Sequence, residues 1–223
     1  MEREYIYSWN RTYRIDHWVR VLALAVLTLT GFYIHWPFLP AGEPGGMGLM
    51  AWMRFAHFGS AYILVLGLVV RVYLAFNSNF DADWREFGII KNLRNVTDVL
   101  FYYLFIKDTH KDYRRYNPMQ AFTYLFWVFL ILFMTATGFA LYHGEVFGLF
   151  PAQTGFGWVN RLLGGESYTR IWHFLGMWVF IITTAIHVYM AIMSTWVHRD
   201  HAFRSMISGY KLKVGHERGG PEK

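Results

Sequence analysis

Four stretches of this chain are solid runs of apolar residues, and most of the charge lies between them. The last run, Ile171 to Trp196, reads IWHFLGMWVFIITTAIHVYMAIMSTW and contains no Asp, Glu, Lys or Arg. A helix rising about 1.5 Å per residue needs about 20 such residues to cross a hydrocarbon core about 30 Å thick. The pattern therefore predicts membrane spans over about 17–36, 56–76, 119–142 and 171–196. Pro37 and Pro40 close the first span, because a missing N–H and a fixed ring stop a helix. The apolar residues do not alternate with polar ones, which argues against a β-barrel.

The connections differ in character. Residues 77–118 form a long polar connection. Within it, Trp84–Ile106 spaces Ile89, Ile90, Leu93, Val96, Leu100, Leu104 and Phe105 at near-helical intervals among polar residues. That spacing predicts an amphipathic helix on the membrane surface or on the protein, with packing inside a partner complex as the alternative. Residues 144–170 read as a loop with Pro151, several glycines and the apolar pieces FGLF and GFGW. So apolar a loop is expected to dip into the interface or to meet a partner. Residues 1–16 and 197–223 read as polar ends. Acidic residues interrupt the first, and no small-residue cleavage site follows the first apolar run, so it does not read as a signal peptide. The fold class predicted is an all-α membrane protein. It is a single domain over 1–223, a four-transmembrane-helix bundle with an interfacial amphipathic helix in the long loop.

Composition agrees: 55% of the 223 residues are hydrophobic and 16% charged, far from a soluble average. There is no cysteine. This excludes disulfides, iron–sulfur clusters held by this chain and c-type haem attachment. The net charge of +6 at first suggests nucleic acid, but in a membrane protein the placement of basic residues means topology. Eighteen of the 21 Lys and Arg fall in the amino-terminal segment, the 77–118 connection with Arg71, and the tail. That bias puts both termini and the long loop in the cytoplasm. The partner it implies is lipid, with no nucleic acid.

The candidate chemistry lies in histidines. An ionisable residue within a span marks a functional site by default. His173 and His187 are 14 residues apart in the fourth span, a rise of about 21 Å and about 40° short of four full turns. They share one helix face at two depths. With the topology above, His57 starts span two near the outer face, as His173 starts span four. His17 starts span one near the inner face, the side toward which His187 lies. The four histidines thus sort into His57 with His173 and His17 with His187. Neutral imidazole is a good axial ligand for haem iron, and two imidazoles on facing helices at one depth suit a b haem. Interfacial or packing histidines are the competing reading for any one of them. Span four runs nine residues past His187, whereas His17 stands at the very start of span one. Either helix one begins earlier, near Tyr13, or span four projects beyond the bilayer.

Spans one and three both end in Thr-Gly-Phe, at Thr30–Phe32 and Thr137–Phe139. Gly31 and Gly138 are candidate haem contacts, because a porphyrin pressed between helices needs small residues; ordinary small-residue packing is the alternative. His35 and His143 follow these triplets and read as interfacial or propionate-neighbouring residues rather than ligands.

The strings RIDHWVRVLALAVLTLTGF, MRFAHFGSAY, YNPMQAFTYLF…TGFALY and WHFLGMW…HVYMAI resemble the membrane cytochrome b subunit of uptake nickel–iron hydrogenases. The tail string RSMISGYK resembles that subunit's ending, so the likeness covers nearly the whole chain. The wider group includes the cytochrome b subunit of formate dehydrogenases and the small bacterial b561 cytochromes. The resemblance implies two haem b, held by His57 and His173 (outer) and by His17 and His187 (inner). It implies a periplasmic hydrogenase as partner, with an iron–sulfur small subunit and a nickel–iron large subunit. Electrons from H₂ would pass to menaquinone or ubiquinone, and the chain would anchor the hydrogenase to the bacterial inner membrane. Related formate dehydrogenase subunits place quinone beside an Asn-x-x-Gln stretch at the inner end of the third span. Asn117 and Gln120 match it, although Pro118 and Met119 between them differ. Their amides could hydrogen-bond a quinone carbonyl, or Asn117 could cap the helix that Pro118 begins.

Other readings are the same electron-transfer role for a formate dehydrogenase, a standalone b561-like quinol oxidase, a bare anchor, or a histidine-based transporter. The paired histidines argue against a bare anchor. A transporter would want carboxylates in its spans, and none is seen. Without cysteines for a nickel site the chain does not itself cleave H₂.

Overall fold

The computed structural model describes residues 4–38, 48–77, 97, 101, 106, 118–146, 148–193, 195–196 and 202–213. In chain order the elements are β1 (Glu4–Tyr7), α1 (Arg11–His35), α2 (Leu49–Asn77), α3 (Pro118–Ala140), β2 (Glu145–Val146) and β3 (Phe150–Pro151). They continue with α4 (Ala152–Leu163), α5 (Glu166–Met193), α6 (Ala202–Ser208) and β4 (Tyr210–Lys213). Helices α1, α2, α3 and α5 are long and apolar enough to cross a membrane. The chain is an integral membrane protein with four such helices among the described residues. The amphipathic helix expected over Trp84–Ile106 lies outside the described residues.

The chain divides into two compact units, one of residues 19–182 and one of residues 1–18 with 183–223. In the first, Ala23 of α1, Leu64 and Leu68 of α2, Leu130 and Ile131 of α3 and Phe180 of α5 form one buried cluster. Small residues let these helices approach, as they must where lipid gives no hydrophobic drive to associate. Gly176 shows the point: a methyl group there would stand 2.4 Å from Met134 Sδ. Outward-facing side chains are apolar too, with Leu29, Phe55 and Phe129 each more than 60% exposed. In water such a surface would be a large aggregation patch; in a bilayer, lipid covers it.

The span boundaries shift from those predicted. Helix α1 begins at Arg11, so the first of the two explanations for His17 holds: the helix starts earlier. Helix α2 begins at Leu49, and α5 runs from Glu166 to Met193.

The loop expected over 144–170 is mostly a structured element. Strands β2 and β3 pair, and α4 follows directly. Its Ala152 and Val159 are buried, a spacing of two helical turns. Gly155, Gly157 and the preceding Pro151 hid it, because glycine weakens helix propensity. Tertiary bonds override that weakness. Gln153 Nε2 donates to Ala140 O at 2.8 Å and Asn160 Nδ2 to the same carbonyl at 2.8 Å. They satisfy an end carbonyl of α3 that has no partner in its own helix. Gly164 ends α4 with a left-handed φ of 91°.

The described parts of the polar ends also fold, and they lie in the second unit. Strand β1 pairs antiparallel with β4, from Glu4 opposite Lys213 to Tyr7 opposite Tyr210. Helix α6 packs its last turn on α1: Trp18 Nε1 donates to Met206 O at 3.0 Å, and the Arg14 guanidinium to Ile207 O. A cation at a helix carboxyl end is also favoured by the dipole. Gly209 joins α6 to β4 with φ 89°, and its carbonyl accepts from Ser8 N at 2.8 Å and Trp9 N at 3.1 Å. A Cβ there would stand 2.9 Å from Trp9 O. Replacing Gly209 with Ala is expected to weaken this ribbon by about 1–2 kcal/mol from the left-handed backbone alone. The check is limited proteolysis of the detergent-solubilised protein, in which cleavage should quicken at the two chain ends and not within residues 19–182.

Candidate functional site

The site is built from two copies of one arrangement. In each, a threonine near the end of one helix meets a histidine on the next long helix. Thr30 Oγ1 on α1 lies 2.9 Å from His57 Nδ1 on α2, and Thr137 Oγ1 on α3 lies 2.9 Å from His173 Nδ1 on α5. Both threonines are buried, Thr137 completely.

The direction of each bond follows from counting protons. Thr30 Oγ1 is 2.6 Å from Val26 O, four residues back, and Thr137 Oγ1 is 2.8 Å from Phe133 O. A hydroxyl has one proton, and here it goes to the carbonyl of its own helix. The oxygen can then only accept from the imidazole. Each ring therefore carries its proton on Nδ1, which leaves Nε2 as the nitrogen with a lone pair.

The glycine after each threonine makes the approach possible. A methyl group on Gly31 would stand 3.4 Å from His57 Cε1, and one on Gly138 would stand 3.3 Å from His173 Cε1. Both glycines thus face the imidazole rings themselves. The phenylalanine of each triplet packs outward on aromatics: Phe32 on Trp178, and Phe139 on Tyr62 and Phe156. Edge and offset contacts of this kind fix helix rotation, and so fix where the threonine points.

His57 and His173 face each other, with ring centroids 6.5 Å apart and planes at 61°. Metal–imidazole bonds of about 2 Å, plus the ring's own radius on each side, put two such centroids roughly 6 Å apart. The spacing suits one metal atom between two rings. Among the described residues no three His, Cys, Asp or Glu gather as a bare-ion site. Two imidazoles so placed would suit a metal whose remaining ligands come from a macrocycle, as in haem.

A family model of prokaryotic cytochrome b561 matches residues 8–209. The chain belongs to that family. Membership makes it a b-type cytochrome, in agreement with the four-helix bundle and the imidazole pair. It is similar to the "Probable Ni/Fe-hydrogenase B-type cytochrome subunit" of Azotobacter vinelandii, with 35% identity over 93% of this chain and 88% of that one. The protein of the same name from Cupriavidus necator is 36% identical over 92% of this chain and 86% of its own length. The "Probable Ni/Fe-hydrogenase 1 B-type cytochrome subunit" of Escherichia coli K12 is 31% identical over 92% and 90%.

The remaining predicted residues are placed as follows. His17 on α1 and His187 on α5 are both half-buried and both belong to the unit that holds the two chain ends. His17 packs edge-on against Trp18, with centroids 5.5 Å apart. His35 is exposed and stacks flat on Phe174, 4.0 Å away. His143 lies 3.5 Å from Glu166, which also pairs with Arg170. Exposed pairs of this kind contribute little to stability. Asn117 lies outside the described residues. Gln120 lies in the first turn of α3, and its side chain is outside the described part.

Sequence reasoning missed Thr30 and Thr137. The signal was the repeated triplet itself, and the repeat is longer than a triplet: Thr28-Leu-Thr-Gly-Phe32 and Thr135-Ala-Thr-Gly-Phe139. Gly138→Leu is expected to drive His173 away from Thr137 and to lower haem content sharply, while Gly138→Ala lowers it little. Pyridine haemochrome assay of the purified protein decides, and equal haem in the Leu variant would show that the glycine does not shape the site.

Proposed function

We propose that this chain is the membrane cytochrome b subunit of a quinone-reactive nickel–iron hydrogenase. The observation that carries the reading is the close pair of His57 and His173, each with Nδ1 2.9 Å from a buried threonine hydroxyl. The hydrogenase partner is supported by relatives of that name matched over more than nine-tenths of this chain.

In this reading the chain binds two haem b. His57 and His173 hold the outer one, with Gly31 and Gly138 as the small residues of its crevice. His17 and His187 hold the inner one, 14 residues further along α5. Bound haem supplies a one-electron ferric–ferrous couple. The chain's own work is to hold each imidazole in one tautomer and to keep the pairs in apolar surroundings that exclude water. Thr30 and Thr137 do the first, and the aromatic side chains of the triplets help with the second.

H₂ oxidation by the partner's nickel–iron subunit releases two electrons and two protons. The electrons enter from the partner's iron–sulfur small subunit at the periplasmic face. They leave to menaquinone or ubiquinone near the cytoplasmic face, where two protons complete the quinol. Asn117 and Gln120 are the proposed quinone contacts. Both termini and the 77–118 connection face the cytoplasm, as the basic residues dictate. The four spans anchor the hydrogenase to the bacterial inner membrane.

The test is an anaerobic visible spectrum of native membranes, given H₂ and then formate, with a deletion strain as control. H₂ is expected to reduce b haem that is absent from the deletion strain. His57→Ala or His173→Ala is expected to remove about half of that signal. Reduction by formate alone would move the chain to a formate dehydrogenase. If no b haem depends on the chain, the pairing of the histidines is wrong.

A further inference from the structure

We infer that Thr30 and Thr137 are positioning residues that together set the reduction potential of the single haem held by His57 and His173. The inference rests on the proposed reading of those two histidines as one ligand pair.

The two threonines are poor choices on helix grounds. A β-branched residue that bonds its own i−4 carbonyl is mildly unfavourable in a helix and tends to bend it. Leucine or valine would serve equally well against lipid or core. Thr28 and Thr135 separate the hydroxyl's local role from its distant one. Thr28 Oγ1 donates to Leu24 O at 2.9 Å and Thr135 Oγ1 to Ile131 O at 2.7 Å, the same back-bond two residues earlier on each helix. Among the described residues neither bonds a histidine. Thr30 and Thr137 differ in that their oxygens also take an imidazole N–H, each at 2.9 Å.

The chemistry follows from the direction of that bond. An acceptor on Nδ1–H draws the proton outward and raises electron density at Nε2, so the ring becomes a stronger donor. A stronger axial donor favours ferric over ferrous iron and lowers the potential. Both rings of this pair have such an acceptor, so the two effects add on one iron. The bond also stops each ring from turning about its Cβ, which keeps the donor strength fixed.

The experiment is a potentiometric titration of b haem in membranes carrying the full complex. Thr30→Val and Thr137→Val keep the side-chain shape and remove the oxygen. Each is expected to raise the midpoint of the same haem. A tenfold change in the ferric-to-ferrous ratio at fixed potential would read as about 59 mV for this one-electron couple. The double variant is expected to move that haem further and leave the second haem in place. Thr30→Ser and Thr137→Ser should keep the wild-type midpoint, and the control variants Thr28→Val and Thr135→Val should not move it. Unmoved Val variants overturn the inference, as do controls that move equally or two variants that act on different haems. If the Val variants lose the haem, the Ser variants decide. Retention at the wild-type midpoint supports the hydroxyl, and loss in Ser as well assigns the threonine to packing alone. His57→Ala and His173→Ala are run beside these. If they leave both haems intact, the ligand pair itself is wrong and the inference falls with it; if they remove one, the inference stands or falls on the threonines.

Discussion

An imidazole N–H inside a bilayer must find an acceptor, because no water is there to supply one. In this protein the acceptor is a threonine oxygen whose own proton is already committed to its helix. That one constraint orders the site. It selects the ring tautomer, leaves Nε2 as the donor nitrogen, and favours a small residue beside the threonine, against which the ring lies. It also requires the helices to be held in rotation, since turning α1 or α3 would withdraw the oxygen. The aromatic contacts of Phe32 and Phe139 answer that need.

The arrangement occurs twice, on α1 with α2 and on α3 with α5, although 27 residues separate threonine from histidine in one case and 36 in the other. The longer separation accommodates the β2–β3 hairpin and α4. Helix α4 bonds the end of α3 through Gln153 and Asn160, close to the triplet that contains Thr137. The connection that looked like an apolar loop is therefore a brace for one half of the site. The terminal ribbon plays a comparable local role, since β1, β4 and α6 hold the first turns of α1 through Arg14 and Trp18.

Much of this was legible in the chain. Apolar runs of about 20 residues leave few alternatives to spanning helices, because every backbone polar group must be satisfied within its own segment. The pairing of His57 with His173 followed from topology and helix rise alone, and the two rings do face each other. Helix ends were less legible. Arg11 and Leu49 precede their apolar runs by several residues, and hydropathy marks the lipid-facing part of a helix rather than its start.

The sequence by itself determined the four spans, the family and the nearness of His57 to His173, since these depend on local hydrophobicity and on where each histidine falls along its span. Only the tertiary structure decided what each imidazole bonds to, that Gly31 and Gly138 meet the rings, and that the two polar ends pair as strands. Four-residue strands at opposite ends of the chain carry too little pattern to announce each other. A threonine that bonds a histidine on another helix looks, along the chain, the same as Thr28 or Thr135, which do not. The difference is helix rotation and approach, and these are set by packing between segments far apart in sequence.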